Sequence, residues 1–365
     1  MAALRFGLLG TGYWALHTHG TALCSSRHAN LHGVWGRDPA KTHDLAKRLG
    51  ARGYDDLDRL LDEVDAVAIA VPPAVQADLA VKAAQAGCHL LLEKPLAVSV
   101  LSAQAVVRAV EEAGVASVVF FTARYRPEVE RWTEAAAQAG LWHSAHLVQY
   151  ANIFQPGSPY SESAWRREYG ALWDVGPHAL SSLLPIMGKV TSVAARSGPA
   201  GSDTVHLILT HGPHPAGVPH TSPPTSAAHD ANAGRSQNAR PAGTTADGLL
   251  AVGTASDEPA PASAGTVADV PVGPVSASTL SLSLTMPPAA TVTHLAIYGE
   301  HGVRTRPEGS FEPVEALHRA IADLASLVES GQRHHRCDVH FGLEVVRVLA
   351  AAERALELRA VELRY

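Results

Sequence analysis

"LRFGLLGTGYWA" (residues 4–15) decides the fold of the chain. Its apolar first half predicts a buried strand, and the glycines that follow predict a tight turn. Gly10, Gly12 and Ala15 fit the spacing G-x-G-x-x-A, in which the first glycine allows the turn and the second lets the backbone approach a pyrophosphate at a helix N-terminus. Because the motif follows a strand and opens a helix, it predicts dinucleotide binding rather than an ordinary glycine-rich turn.

The first third of the chain repeats the same pattern, a short apolar run followed by a helical stretch. This alternation predicts a parallel sheet with crossover helices, whose ligands bind outside the carboxyl ends of the strands. The predicted strands are 5–10, 31–35, 65–71, 88–93 and 117–121, and helices are predicted at 39–50, 74–87 and 99–114.

The composition argues against several classes of function. Asp and Glu outnumber Lys and Arg by 35 to 29, and no basic stripe indicates a nucleic-acid surface. The three cysteines lie far apart, which favours reduced thiols over a disulfide or a zinc site. No apolar run reaches the ~20 residues of a membrane span. The N-terminus lacks a signal-peptide cleavage region, so we expect a cytoplasmic protein with a small-molecule substrate, no nucleic acid and no membrane.

The run "LLLEKPLAV" (90–98) ends a buried strand in a carboxylate, an ammonium and a proline. Charges at such a tip require water, a cofactor or a partner charge. Lys94 is one of only five lysines in the chain. Its pKa responds to burial and to neighbouring charges, which suits it to proton transfer at a nucleotide cleft. The alternative is a charge pair in solvent at the end of a strand.

A second candidate pair lies in "ALWDVGPHAL" (171–180), where Asp174 and His178 are four residues apart and share one face of a helix. Pro177 between them is tolerated only in a first turn. An acidic residue beside a histidine at a helix start predicts an acid–base pair. The alternative is a helix cap with an unrelated histidine, in a chain with 20 histidines.

The end of the second predicted strand, "WGRDPAK" (35–41), bears on the cofactor. NAD-binding proteins usually place an acidic residue here on the ribose hydroxyls, whereas this chain has Gly36 and then Arg37. Arg37 suits a 2′-phosphate, so the sequence predicts NADP. A solvated Arg37 is the alternative, and Asp38 keeps NAD open.

The glycine motif, E-K-P at the fifth strand and D-x-G-x-H roughly eighty residues later resemble the Gfo/Idh/MocA family of glucose–fructose oxidoreductase, inositol dehydrogenase and rhizopine-catabolism proteins. The resemblance covers nearly the whole chain outside one insertion, and includes "VPPAVQADLAVKAAQAG", "AWRREYGALWDVGPHAL" and "HRCDVHFGLEVVRVLAAAERAL". It implies an NAD(P)-dependent oxidoreductase that transfers a hydride between nicotinamide and a sugar, polyol or related hydroxy or dihydrodiol compound. The alternative is a nucleotide-binding regulator or sensor without turnover.

The resemblance also implies roles for single residues. Lys94 and His178 would bind and polarise the substrate hydroxyl or carbonyl, and Asp174 would orient the site or contact substrate. The predicted cofactor contacts are Gly10, Thr11, Gly12, Tyr13, Trp14, Arg37, Val71, Pro72, Pro73, Gln76, Glu93 and Lys94. The predicted substrate contacts are Arg124, Trp165, Asp174 and His178, and no metal is expected. Two departures from the family are Gln76, where many members carry His, and a glycine run reduced to "YGA" (169–171).

The second half of the chain predicts a different domain. Strand-like runs at 143–154, 190–198, 203–212, 278–287 and 292–303 have no helices between the later ones, which indicates an open, mainly antiparallel sheet. Helices are predicted at about 313–330 and 340–357. We therefore expect a Rossmann dinucleotide-binding domain over 1–122 and an α+β substrate and oligomerisation domain over 123–365. In the resembled family this sheet often packs against another subunit, which implies a homo-oligomer.

An insertion interrupts this second half. Residues 211–275 hold ten of the 24 prolines and no aromatic residue, Cys, Met or Lys, which predicts a disordered segment. Its histidines raise the possibility of a metal site, but without cysteine or rigid spacing a solvated linker is favoured. These histidines are His211, His214, His220 and His229.

Overall fold

The computed structural model of the protein describes residues 3–212, 275–309, 312–358 and 361–362. Almost all of the predicted insertion lies outside these residues. No helix within the described ranges is both long and apolar enough to cross a membrane.

The first sheet contains six strands, all parallel, in the order β3-β2-β1-β4-β5-β6. They are β1 Leu4–Leu9, β2 Ala29–Trp35, β3 Arg52–Tyr54, β4 Ala66–Ile69, β5 His89–Glu93 and β6 Ser117–Phe120. The predicted parallel sheet is confirmed. The sequence missed β3 because three residues are too short for a strand pattern. The strand order reverses between β1 and β4, which is where sheets of this kind bind ligands.

Helices connect these strands: α1 Thr21–Ser25, α2 Pro39–Leu49, α3 Leu57–Asp62, α4 Pro73–Gln85 and α5 Val100–Ala113. A π-helical segment, Ala15–Gly20, lies between the glycine motif and α1. Such segments are rare, and many occur at functional sites. Asp38 caps α2, because its carboxylate accepts a hydrogen bond from the Lys41 amide.

Among the residues that the structure describes, the second sheet has seven strands in the order β12-β11-β7-β10-β9-β8-β13. They are β7 Trp142–Tyr150, β8 Val190–Ser197, β9 Val205–His211, β10 Ser276–Ser283, β11 Val292–Gly299, β12 Gly302–Thr305 and β13 Val361–Glu362. All neighbouring pairs are antiparallel except β7 and β10, which are parallel. The prediction of a mainly antiparallel sheet is confirmed. The parallel pair arises because a long connection with helices and strands separates β7 from β10.

The remaining helices are α6 Pro127–Ala139, α7 Ala164–Asp174, α8 Gly176–Met187, α9 Pro313–Ser330 and α10 Val339–Leu358. Gly170 interrupts α7 with a φ of 60° and a ψ of −162°, a conformation that glycine adopts far more readily than other residues. A 3₁₀ turn, Thr122–Tyr125, follows β6 and contains the predicted domain boundary. That boundary stays a prediction.

His211 corrects one end of the predicted insertion. Instead of lying in a solvated linker, it is the last residue of β9 and is fully buried. Its ring nitrogens form hydrogen bonds with the Gly188 carbonyl at 3.0 Å and the Ser278 hydroxyl at 2.7 Å. These two partners explain why a polar ring is retained inside the sheet. His214, His220 and His229 lie outside the described residues.

Candidate active site

The glycine motif forms a tight turn after β1. Gly10 has a φ of +126°, and a Cβ on it would lie 2.3 Å from the Ala70 carbonyl oxygen. A side chain is therefore excluded at this position by both conformation and space. A Cβ on Gly12, in contrast, would meet no atom within 4 Å. The open space at Gly12 fits the close approach of a phosphate group to the backbone.

A cavity of about 760 Å³ opens beside this turn. It lies at the carboxyl ends of the parallel strands and is closed on the other side by α7, α8 and the loop before α7. Many of the residues predicted from the sequence line it: Gly12, Tyr13, Trp14, Val71, Pro72, Pro73, Glu93, Lys94, Trp165, Asp174 and His178. Two distant parts of the chain, the glycine motif with E-K-P and the D-x-G-x-H segment, are thus brought together.

A second, smaller groove of about 510 Å³ shares Gly12 and Tyr13 with the cavity. It extends along the N-terminal part of α2. Its polar walls are formed by Thr11, His17, Lys41, Asp44 and Arg48. The cavity and this side groove meet at the glycine turn and could hold the two halves of one elongated ligand.

The tip of β5 delivers Lys94 to Asp174. The Lys94 ammonium donates to the Asp174 Oδ1 atom and to the Asp174 backbone carbonyl, both at 2.7 Å. Only 10% of the Lys94 side chain and 8% of the Asp174 side chain are exposed. An ammonium has three N–H donors, so the third is left for an oxygen in the cavity.

His178 lies on the cavity wall at the start of α8. Its ring makes no hydrogen bond to any described residue. Burial, followed by the nearby Lys94 ammonium, lowers the pKa of His178 to about 3. The imidazole is therefore neutral near pH 7.

Arg166 was not singled out in the sequence, yet it lies at the same carboxylate. Its Nε atom donates to Asp174 Oδ2 at 3.1 Å. Burial acts to raise the pKa of Asp174, but the charges of Lys94 and Arg166 outweigh it and lower that pKa. Asp174 is consequently ionised. The sequence does not distinguish Arg166 from the adjacent Arg167, so neither arginine was predicted to lie at the site.

Glu93 connects β5 to the helical segment after the glycine turn. Its Oε1 atom accepts a hydrogen bond from Trp14 Nε1 at 2.6 Å and pairs with His19 Nε2 at 2.8 Å. The His19 side chain is fully buried and that of Glu93 is 12% exposed. Glu93 and Trp14 line the cavity, and their contact with a cofactor stays a prediction. The contribution of His19 was missed because its partner is 74 residues away in sequence.

Gln76 corrects a predicted cofactor contact. It is completely buried and does not line the cavity. Its Nε2 atom donates to the backbone carbonyls of Glu93, Pro95 and Leu96, and its Oε1 atom accepts from the Glu93 amide at 2.9 Å. Both polar atoms of the side chain are engaged in these hydrogen bonds. Gln76 therefore holds the backbone of the E-K-P segment and does not reach the cavity.

Two predicted arginines do not line the cavity. Arg124 is 4% exposed and lies in the 3₁₀ turn after β6, beside the buried thiol of Cys337. Its position corrects the prediction that it contacts the substrate directly. Arg37 is exposed just after β2 and lines neither the cavity nor the side groove. A role for Arg37 at the cofactor stays a prediction.

His334, Asp338 and His340 form a group whose donor atoms lie within 4.8 Å of one another. The Asp338 oxygens already accept hydrogen bonds from the backbone amides of His335, His340 and Phe341. The His334 side chain is 85% exposed. This geometry is accounted for by a cap at the start of α10.

The sequence of residues 4–121 matches the GFO_IDH_MocA model, described as an oxidoreductase family with an NAD-binding Rossmann fold. D-xylose 1-dehydrogenase (NADP(+)) 2 from Haloferax volcanii is 31% identical over 200 residues, which are 53% of this chain and 60% of that protein. UDP-N-acetylglucosamine 3-dehydrogenase from Acidithiobacillus ferrooxidans is 29% identical over 219 residues, 58% of this chain and 65% of the relative. The matched regions thus span less than two thirds of these relatives.

Among solved structures, the WlbA dehydrogenase from Bordetella pertussis in complex with NADH and UDP-GlcNAcA superposes with a TM-score of 0.71. It is 19% identical, and the match covers 100% of this chain and 99% of that one. At this identity the likeness concerns the fold, which extends over both sheets. The match over residues 4–121, together with the glycine turn and the strand order, shows that this part of the chain is similar to the NAD-binding Rossmann fold of that oxidoreductase family.

Proposed function

We propose that the protein is a cytoplasmic NAD(P)-dependent dehydrogenase or reductase that acts on a hydroxyl-bearing carbon of a sugar, polyol or related compound. The observation that carries this proposal is the grouping of Lys94, Asp174 and His178 around one cavity beside the glycine turn. Residues 1–122 would hold the cofactor and 123–365 the substrate. A regulator without turnover has no need of this grouping.

The residues around the glycine turn fit a dinucleotide. Gly12 leaves room for the pyrophosphate, and the side groove along α2 would take the adenosine half. Val71, Pro72 and Pro73 form an apolar cavity wall suited to the nicotinamide. When bound, the nicotinamide ring supplies the acceptor or donor of the hydride.

In the direction of oxidation, the substrate hydroxyl would lie between Lys94 and His178. The neutral imidazole of His178 accepts the hydroxyl proton while the substrate carbon loses a hydride, which leaves a carbonyl. The Lys94 ammonium, oriented by Asp174, donates its remaining N–H to the oxygen and stabilises the negative charge that develops there. Reduction follows the same path in reverse.

The named relatives support a carbohydrate substrate, since both are sugar or nucleotide-sugar dehydrogenases. Trp165 on the cavity wall adds an apolar ring face of the kind that stacks on sugars. The cavity lining does not select one sugar over another.

The direct test is a panel of sugars, polyols and dihydrodiols with NADP and with NAD, followed at the nicotinamide absorbance. Turnover should appear with at least one pair, and Lys94→Ala should lower it by on the order of a hundredfold while circular dichroism stays unchanged. Lys189→Ala, at an exposed lysine remote from the cavity lining, is the matched control and should retain activity. Full activity of Lys94→Ala would contradict the proposal.

We also propose that the second sheet carries a homo-oligomer interface. Ile208 on β9, Tyr298 on β11 and Val303 on β12 are large apolar residues with 56%, 37% and 61% exposure. Exposed apolar residues along one sheet favour association. Light scattering of the wild type and of Ile208→Lys tests this. A monomeric wild type would exclude the interface.

A further inference from the structure

Asp174 is shared by two cations. Lys94 bonds to Oδ1 at 2.7 Å, and Arg166 bonds to Oδ2 at 3.1 Å. All three side chains are mostly buried: Lys94 is 10% exposed, Arg166 18% and Asp174 8%. With His178 neutral, these three side chains together carry one net positive charge, and the mostly buried carboxylate of Glu93 lines the same cavity.

We propose that Arg166 is a positioning residue that occupies half of the Asp174 carboxylate and so prevents Asp174 from neutralising Lys94. The proposal rests on the proposed function, because its consequence is felt at the substrate oxygen. That oxygen gains negative charge as its proton leaves, and a Lys94 ammonium that shares its carboxylate with a second cation stabilises this charge. Electrostatic effects of this kind are large where solvent is mostly excluded.

The arginine is held in place by its surroundings. Its guanidinium stacks on the rings of Tyr160 and Trp165, at 4.3 Å and 4.5 Å from their centroids. One Nη atom also donates to the Ser163 hydroxyl at 3.2 Å. A planar guanidinium can stack on two rings and bond to a carboxylate at once, whereas an ammonium cannot.

Tyr160 in turn contacts the glycine turn. Its ring meets that of Tyr13 edge to face, with centroids 6.3 Å apart and an interplanar angle of 82°. Arg166 therefore contacts Trp165 directly and is connected to the glycine turn through Tyr160 and Tyr13. This contact would transmit a shift of the glycine turn to the Asp174 carboxylate.

The charge balance has a consequence for proton affinity. A second cation near His178 disfavours its protonated form. Arg166 is one of the groups that lower the pKa of His178, after burial and Lys94. The ionisable groups that face Lys94 and His178 are Glu93 at the tip of β5, Tyr160 before α7, Arg166 and Asp174 on α7, and Arg306 after β12.

The test measures His178, which the charge of Arg166 reaches. Histidine labelled with ¹³C is followed by NMR as the pH is lowered, and the His178 signal is assigned with His178→Gln. In Arg166→Met, or in Arg166→Gln if the first variant does not fold, the pKa of His178 should rise from about 3, because one of the cations that lower it is gone. Arg166→Lys should give a smaller rise. Arg108→Met, at an exposed arginine of α5, should leave the titration unchanged.

Once a substrate has been found, kcat and KM of the Arg166 variants provide a second measurement. Arg166→Met should lower kcat more than it raises KM, with Arg166→Lys restoring part of kcat. An unchanged His178 titration in the folded neutral variants overturns the proposal, whatever their activity. A wild-type protein without turnover contradicts the proposed function instead, and the titration still decides the role of Arg166.

Discussion

Gln76 holds Glu93 by both of its backbone polar groups. The Gln76 Oε1 atom accepts from the Glu93 amide at 2.9 Å, and Nε2 donates to the Glu93 carbonyl at 2.7 Å. The amide nitrogen also reaches the carbonyls of Pro95 and Leu96. A single buried side chain on α4 therefore fixes the backbone on both sides of Lys94.

We expect Gln76→Ala to destabilise the protein and to lower turnover together. Buried backbone groups lose their partners, which costs about 1–3 kcal/mol per group in the free energy of unfolding. Urea denaturation measures the loss of stability, and the nicotinamide absorbance assay measures the loss of turnover. Gln85→Ala, an exposed position at the end of the same helix, is the control. A stable variant with normal turnover would show that the segment holds its shape without Gln76.

Gln76 also shows where prediction from sequence ends. The apolar runs and the glycine spacing define strands and a turn through local rules, so the parallel sheet and the position of Gly10 follow from them. Helical spacing places Gln76 on a face of α4, but it does not reveal that the segment after β5 folds back onto that face. Arg124 fails for the same reason, because its burial beside Cys337 depends on a loop more than two hundred residues later.

The resemblance implied that Lys94 and Asp174 serve one site, but their direct pairing was not predicted, since 80 residues separate them. Arg166 and His19 carried no signal at all. His19 acts through Glu93, which is distant in sequence, whereas Arg166 reaches Asp174 across the interruption of α7 at Gly170, which regular helical spacing does not reveal. Composition also placed the start of the insertion too early, at residue 211. His211 belongs to the sheet, where two hydrogen bonds satisfy its polar ring.

The contact between Trp14 and Glu93 should contribute measurably to stability. Trp14→Phe removes the 2.6 Å hydrogen bond to a carboxylate that is 12% exposed. Hydrogen bonds to charged groups contribute about 1.5–3 kcal/mol. Trp132→Phe is a matched control, because Trp132 Nε1 is buried without a hydrogen-bond partner among the described residues. Equal losses in unfolding free energy for the two variants would contradict a stabilising role of the Trp14 bond.

Acid should destabilise the fold partly through His178. Its pKa falls from an ordinary 6.5 to about 3, chiefly because of burial, so the unfolded chain binds this proton first. The stability that it contributes is complete above about pH 6.5 and is lost as the pH falls toward 3. One such group contributes a slope of about 1.4 kcal/mol per pH unit within that window.

The measurement is the free energy of unfolding between pH 7 and pH 4. His178→Gln should flatten this dependence, and His143→Gln, at an exposed position of β7, should not. If the wild type and His178→Gln lose stability in parallel, His178 is not the group that titrates.

We predict that NADPH binds more tightly than NADH. Position 36 has no side chain to accept from the ribose, and a Cβ there would lie 2.7 Å from Thr11 Cγ2. One oxygen of Asp38 accepts from the Lys41 amide at 3.2 Å as the cap of α2, and the other lies 3.8 Å from the Lys41 ammonium. Arg37 is exposed beside it, and Lys41 and Arg48 outnumber the carboxylate of Asp44 on the walls of the side groove. A 2′-phosphate would therefore meet an excess of positive charge here.

Fluorescence titration gives the dissociation constants for NADPH and NADH, and their ratio tests the predicted preference. Arg37→Ala should weaken NADPH about tenfold and leave NADH almost unchanged, because only the phosphate would lose its partner. Arg27→Ala, at an exposed arginine that lines neither the cavity nor the side groove, serves as the control for a general loss of positive charge. Equal weakening of both cofactors by Arg37→Ala would assign Arg37 to the shared adenosine half. A wild type with no preference for NADPH would mean that the positive side groove does not read the phosphate.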